Sequence, residues 1–116
     1  MADLSNTWTE MTEAQLQSAV IEQLKWQGWL CYHTHNSRRS EPGFPDLVAV
    51  KGGRHIFVEF KTEKGKVKDA QIEWLSRLAH AHSEVYLVRP STQDAFLEDV
   101  AVSGSNLEAH WKNQRG

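Results

Sequence analysis

Asp46, Glu59 and Lys61 are the residues of this chain whose types and spacing best suit chemistry. Asp46 follows Pro45 and opens the apolar run Leu47-Val48-Ala49-Val50. Glu59 and Lys61 flank Phe60 directly after Ile56-Phe57-Val58. Charged groups set into apolar runs are costly unless they are paired or bound to metal. Two carboxylates brought together can hold a hard divalent cation, and a lysine beside them can act on a phosphate. That combination is what magnesium-dependent cleavage of a phosphodiester needs.

The spacing makes the convergence concrete. Lys51-Gly52-Gly53-Arg54 separates the two runs, and Gly-Gly between strand-like segments predicts a two-residue hairpin turn with positive φ at both glycines. With Lys51 facing Arg54, Asp46 falls opposite Glu59, their Cβ atoms roughly 4.5–5.5 Å apart. Lys61 lies two residues beyond Glu59 and projects from the same face. The plainer alternative is a surface ion cluster at a hairpin end.

The elements that must carry this hairpin follow from periodicity. A helix is expected over 12–27, with Thr12-x-x-Gln15 as a capping box and Leu16, Ala19, Val20 and Leu24 as its apolar stripe. Gly28 suits the residue after its end. Trp29 to His33 reads as a strand and 34–45 as a loop. The hairpin strands fall near 46–50 and 55–61. Apolar residues alternate onto both faces of the hairpin, which predicts strands covered on both sides. A charged loop from Thr62 to Lys68 precedes a second helix over 69–82, with Ile72, Leu75, Leu78 and Ala79 as its stripe. Val85 to Val88 is a short strand stopped by Pro90, and Ser91-x-x-Asp94 marks a third helix start. The order αβββαβα predicts an α/β mixed sheet flanked by helices.

At 116 residues the chain suits a single domain over 1–116. Its core is expected over about 10–102, with a loose arm at 1–8 and a polar tail at 103–116 in which Trp111 is a candidate anchor. No apolar stretch approaches the ~20 residues of a membrane span, and the N-terminus lacks a signal-peptide pattern. The single cysteine, Cys31, rules out an internal disulfide framework, so a reducing, cytoplasmic setting is expected.

The net charge of −2 does not advertise a nucleic-acid binder, and its distribution says more, though solvated loops would share it. Residues 33–68 carry eight bases against four acids, whereas both flanking segments are net acidic. The basic excess surrounds the Asp46 hairpin, as a footprint on a phosphate backbone would. Arg38, Arg39, Asn36, Lys64, Lys66 and Lys68 are the candidate DNA contacts, with His33 and His35 beside the same groove. His33-x-His35, His80-x-His82 and Cys31 lack the spacing of a four-ligand zinc site. Trp26, Trp29 and Trp74 are expected in the core or at a dimer contact.

Taken together, Glu13-x-x-Leu16-Gln17, Gly28, Asn36, Gly43-Phe44-Pro45-Asp46-Leu47, Glu59-Phe60-Lys61, Gly65 and Gln71 resemble the PD-(D/E)xK nucleases, and more narrowly the virus-type replication-repair nuclease (VRR-NUC) domain. The resemblance spans roughly 10–100. It implies a restriction-endonuclease-like αβββαβ(α) core. It also implies a Mg²⁺- or Mn²⁺-dependent endonuclease that cuts Holliday or other branched junctions as a homodimer in a bacterial or phage-infected cell. It maps Asp46, Glu59 and Lys61 onto the catalytic core, and Glu13 and Gln71 onto accessory positions. Asp46, Glu59 and the Phe60 backbone carbonyl are the expected metal ligands, and Lys61 the group that orients or deprotonates water or stabilises the transition state. Two other readings stay open. One is cleavage of flaps, ends or a specific duplex sequence. The other is a non-catalytic DNA-binding or assembly module on the same fold.

Overall fold

The computed structural model describes residues 8–34 and 41–102. Asn36, Arg38, Arg39, His35, most of the expected arm and the tail with Trp111 lie outside the described residues. The element order is α1 (Glu13–Trp26), β1 (Leu30–His33), β2 (Leu47–Lys51), β3 (Arg54–Phe60), α2 (Asp69–His80), β4 (Glu84–Val88) and α3 (Gln93–Ala101), with a 3₁₀ turn at Pro90–Thr92. One short helical turn at 8–10 precedes α1.

Helix α1 starts where its polar signals put it. The Thr12 hydroxyl accepts from the Gln15 amide, and the Gln15 side chain accepts from the Thr12 amide. Those reciprocal bonds satisfy two donors that a helix start otherwise leaves free. At the other end the Gly28 amide donates to Lys25 O and the Trp29 amide to Leu24 O. Gly28 has φ +96, so a side chain there would strain the turn that aims the chain into β1.

The sheet runs β1-β2-β3-β4. β1, β2 and β3 form an antiparallel meander, and β4 returns parallel to β3 after the α2 crossover. Lys51 pairs with Arg54 and Leu47 with Val58, so the two-residue turn sets the expected register. The turn itself differs from expectation. Only Gly52 has positive φ, as in a type II′ turn, and Gly53 does not. Loop length, which is unchanged, decides the register.

One face of the sheet is closed. Leu16, Val20 and Leu24 of α1 and Phe96 and Val100 of α3 pack on Leu47, Ala49, Ile56, Val58, Phe60, Tyr86 and Val88. Truncating one such leucine to alanine in a close-packed core costs about 2–5 kcal/mol. The other face is covered only over β3 and β4, where Leu75 of α2 packs on Val85 and Leu87. Leu30, Tyr32 and Val50 remain exposed, at 74% and 66% for the first two. The expectation that both faces of the hairpin are covered is therefore corrected, because the single helix α2 reaches only half the sheet. Trp26 is likewise no core residue at 81% exposure, whereas Trp29 is buried. Ser91 does not cap α3. Thr92 takes the N-cap position, and Ser91 bonds Glu63 instead. No helix among the described residues is long and apolar enough to cross a membrane.

Candidate active site

The site forms at the end of the hairpin away from its turn, on the sheet face that carries α2. Alternation along β3 sends Val58 and Phe60 into the closed core and Glu59 to the opposite face. Pairing with Leu87 holds Glu59 between two neighbouring strands. Asp46 sits one residue before β2. Its carbonyl accepts from the Thr34 amide, which extends the β1–β2 ladder past its last pair. Its carboxylate accepts from the Phe60 amide at 2.8 Å. The expected facing of Asp46 and Glu59 is thus reached with an added anchor, an amide of β3 that binds the aspartate.

The loop before Asp46 is seated by close packing. Gly43 has φ +86, and a Cβ there would collide with the Ala70 backbone. Only glycine lets this loop approach the first turn of α2 so closely. Phe44 then packs edge-on against Trp74 at 5.0 Å and Phe57 at 6.2 Å between ring centroids. Pro45 is buried and delivers Asp46 to the strand end.

Gln71 comes from the first turn of α2 and bridges two elements. Its Nε2 donates to Glu59 Oε2 at 2.9 Å, and its Oε1 accepts from the Lys68 amide at 2.8 Å. One glutamine therefore caps its own helix and orients the carboxylate. Glu59 Oε1 is buried with no hydrogen-bond partner among the described residues. Lys61 is 6% exposed and Glu59 2%. The Lys61 amide donates to Val88 O, so the lysine continues the β3–β4 ladder by one residue.

The electrostatics are those of crowded acids. Burial first, and the Asp46 charge second, push the Glu59 carboxyl up to about 9, although Lys61 pulls the other way. Glu13, exposed at the start of α1, adds a smaller upward push on Glu59. Burial likewise raises Asp46, opposed by the Phe60 amide, Glu59 and Lys61. A carboxyl kept protonated in this way, against the pull of Lys61, sits where added positive charge would be welcome.

The donor set fits a hard divalent ion. It offers two carboxylates, one with a vacant buried oxygen, in a setting that charge neutralisation would relieve. No group of three or more His, Cys, Asp or Glu able to hold a metal occurs among the described residues, so water would fill much of the coordination shell. Lys64, Lys66 and Lys68 are exposed along the loop between β3 and α2, alternating with the less exposed Gly65 and Val67. A hollow of about 550 Å³ beside α2, lined by residues such as Glu41, Asp69, Glu73 and Trp74, includes none of Asp46, Glu59 and Lys61.

Sequence reasoning missed the Phe60 amide and Arg89. The first is an unremarkable backbone group until the register is known. Arg89 donates from Nη1 to the carbonyls of Thr62, Glu63 and Gly65. Its only signal in the sequence is its place between a buried strand and Pro90.

The comparisons with known proteins agree with this geometry. A solved structure described as a VRR_NUC domain is 27% identical with a TM-score of 0.65, covering 76% of this chain and 97% of that one. A VRR_NUC domain protein is 16% identical with a TM-score of 0.60, over 84% of this chain and 98% of that one. The structure of Archaeoglobus fulgidus Hjc, a Holliday junction resolvase from an archaeal hyperthermophile, is similar at 19% identity and a TM-score of 0.51, with 64% of each chain covered. No curated protein matches the chain. The VRR-NUC domain family profile matches residues 4–92, and with the sheet order and site described above the chain belongs to the VRR-NUC nuclease domain family.

Proposed function

We propose that this domain is a Mg²⁺- or Mn²⁺-dependent endonuclease that hydrolyses phosphodiester bonds in branched DNA. The observation that carries the reading is Glu59, a buried carboxyl beside Asp46 and the buried Lys61, with one oxygen that has no hydrogen-bond donor among the described residues. Asp46 and Glu59 would hold the cation, with the Phe60 carbonyl as a further oxygen donor. The bound cation would supply Lewis-acid activation of water and charge neutralisation at the scissile phosphate. Gln71 fixes one Glu59 oxygen and leaves the other turned to the site. Lys61 offers its ammonium to the charge that grows on the phosphate as water adds and the P–O bond breaks. Glu13 acts from the rim on the charge of Glu59. Lys64, Lys66, Lys68, Arg38, Arg39 and Asn36 are the candidate contacts to the DNA backbone.

The preference for branched DNA rests on likeness to the archaeal resolvase. A homodimer suits it, because two sites related by a two-fold can nick two strands of a junction. The exposed Leu30, Tyr32 and Val50, on edge strand β1 and its neighbour, support a second copy docking there.

A panel of four-way junctions, flaps, free ends and plain duplex tests the reading, with Mg²⁺, Mn²⁺ or EDTA and a sizing measurement alongside. Metal-dependent nicking of junctions by a dimer is expected. Cutting confined to flaps, ends or one duplex sequence replaces the substrate. Junction binding with no metal-dependent cutting overturns the enzyme reading in favour of a binding module.

A further inference from the structure

Lys61 has a support that lies outside the cluster of charges. Chain direction brings it close. β3 and β4 run parallel, Phe60 pairs with Val88, and the Lys61 amide donates to Val88 O. Lys61 and Arg89 are therefore the residues by which two adjacent strands leave the sheet together. Lys61 enters the loop toward α2, and Arg89 enters the 3₁₀ turn.

The Arg89 side chain crosses to its neighbour's loop. Nη1 donates to Thr62 O at 2.8 Å, Glu63 O at 3.2 Å and Gly65 O at 2.8 Å. Three carbonyls converge on one cationic nitrogen, and such charge-assisted bonds are roughly twice as strong as neutral ones. The loop answers from its own side. The Glu63 carboxylate accepts from the Ser91 amide at 3.0 Å and the Ser91 hydroxyl at 2.6 Å. Arg89 is itself held, because its amide donates to Thr92 Oγ1 and its carbonyl accepts from the Thr92 amide. The two exits are laced together by a cation reaching one way and an anion reaching the other.

The laced loop lies against the lysine. The Gly65 amide donates to Thr62 O and closes a turn. A Cβ built on Gly65 would sit 3.6 Å from Lys61 Cδ. Gly65 thus lies beside the aliphatic stem of a lysine that is only 6% exposed. A four-carbon stem has much rotamer freedom to lose, and a fixed loop beside it limits that freedom before the reaction begins.

We propose that Arg89 is a positioning residue for phosphodiester cleavage, acting through the 62–65 turn on the side chain of Lys61. The inference rests on the nuclease reading above, so the wild-type cleavage rate is measured first. An inactive wild type sinks both readings, whereas an active wild type leaves Arg89 to be judged alone. Single-turnover rate, DNA affinity in EDTA and thermal midpoint are then compared for Arg89→Gln and Arg89→Lys. Arg89→Gln is expected to slow the single-turnover step by about 10- to 100-fold, the scale of a misplaced catalytic group. Its DNA affinity should shift only by the few-fold of one lost charge. Arg89→Lys offers three N–H donors to the three carbonyls and should recover most of the rate. Glu63→Ala frees the same loop from the Ser91 end and should show a smaller loss of the same kind. It carries the test should Arg89→Gln fail to fold. Wild-type rates in the variants, a loss lying wholly in affinity, or no rescue by lysine would overturn the proposal.

Discussion

The two ends of the β2–β3 hairpin carry charges in opposite states. At the turn end, Arg54 meets Glu84 through two bonds of 2.9 Å, with the two side chains about one-fifth exposed. The same guanidinium donates to Val100 O and Val102 O and lies over the Trp29 ring. It thereby caps the carbonyl end of α3, where a cation is favoured. At the far end, Glu59 and Asp46 crowd each other under deeper burial, and one Glu59 oxygen has no hydrogen-bond donor among the described residues. The first end is built to hold the molecule together. The second gives up stability to keep a charge-hungry pocket in place.

That contrast can be broken by substitution. Glu59→Gln should reduce metal-dependent cleavage by at least about a thousandfold, because it removes a charged ligand at the reacting phosphate. The same change should leave the metal-free protein more stable than wild type at neutral and alkaline pH. Cleavage rates paired with melting curves check both halves, and an active Glu59→Gln protein would dissolve the distinction between the two ends.

Proton linkage sharpens it. The Glu59 carboxyl rises from the usual 4.5 to about 9 on folding. Between those values the folded chain holds a proton that the unfolded chain has lost. The contribution is complete below the lower value and falls as pH rises, by at most roughly 1.4 kcal/mol per pH unit. Metal-free melting temperature should therefore drop across this window. Added Mg²⁺ should restore more of it at higher pH, since the cation replaces the proton. Glu59→Gln should flatten the slope, as melting curves over a pH series would show.

The smallest effect belongs to the turn end. Glu84→Gln should cost about 1–2 kcal/mol, seen as a melting shift of several degrees, with cleavage unchanged. A lost activity there would show that the two ends are not independent.

The residues that were legible from sequence share a local cause. The register of the hairpin follows from a two-residue loop, and the start of α1 from Thr12 and Gln15, each within a few positions of its partner. The bridge from Gln71 to Glu59 was foreshadowed only by a family pattern, because helix and strand meet across twelve residues of chain. The exposed Leu30 and Tyr32 were not legible, since alternation along a strand says which residues share a face and not whether a helix covers it. For Trp26 only the core half of the expectation falls away, and a dimer contact stays open. It lies off the Leu16, Val20 and Leu24 stripe, which keeps it out of that core. Arg89 was invisible because its partners are carbonyls, which every residue has.

The parallel pairing of β3 with β4 has a consequence for when the site is completed. The meander β1–β2–β3 closes through neighbours in sequence, whereas β4 arrives only after the α2 crossover. Non-local pairing of that kind forms late because its loop must be closed first. A ribosome that has released residues up to Ala81 has already delivered Asp46, Glu59, Lys61 and Gln71. It has not delivered Leu87, Val88 and Arg89, against which the far edge of β3 and the exit of Lys61 are set. On the proposed nuclease reading, the site stays incomplete on the nascent chain until the last strand docks.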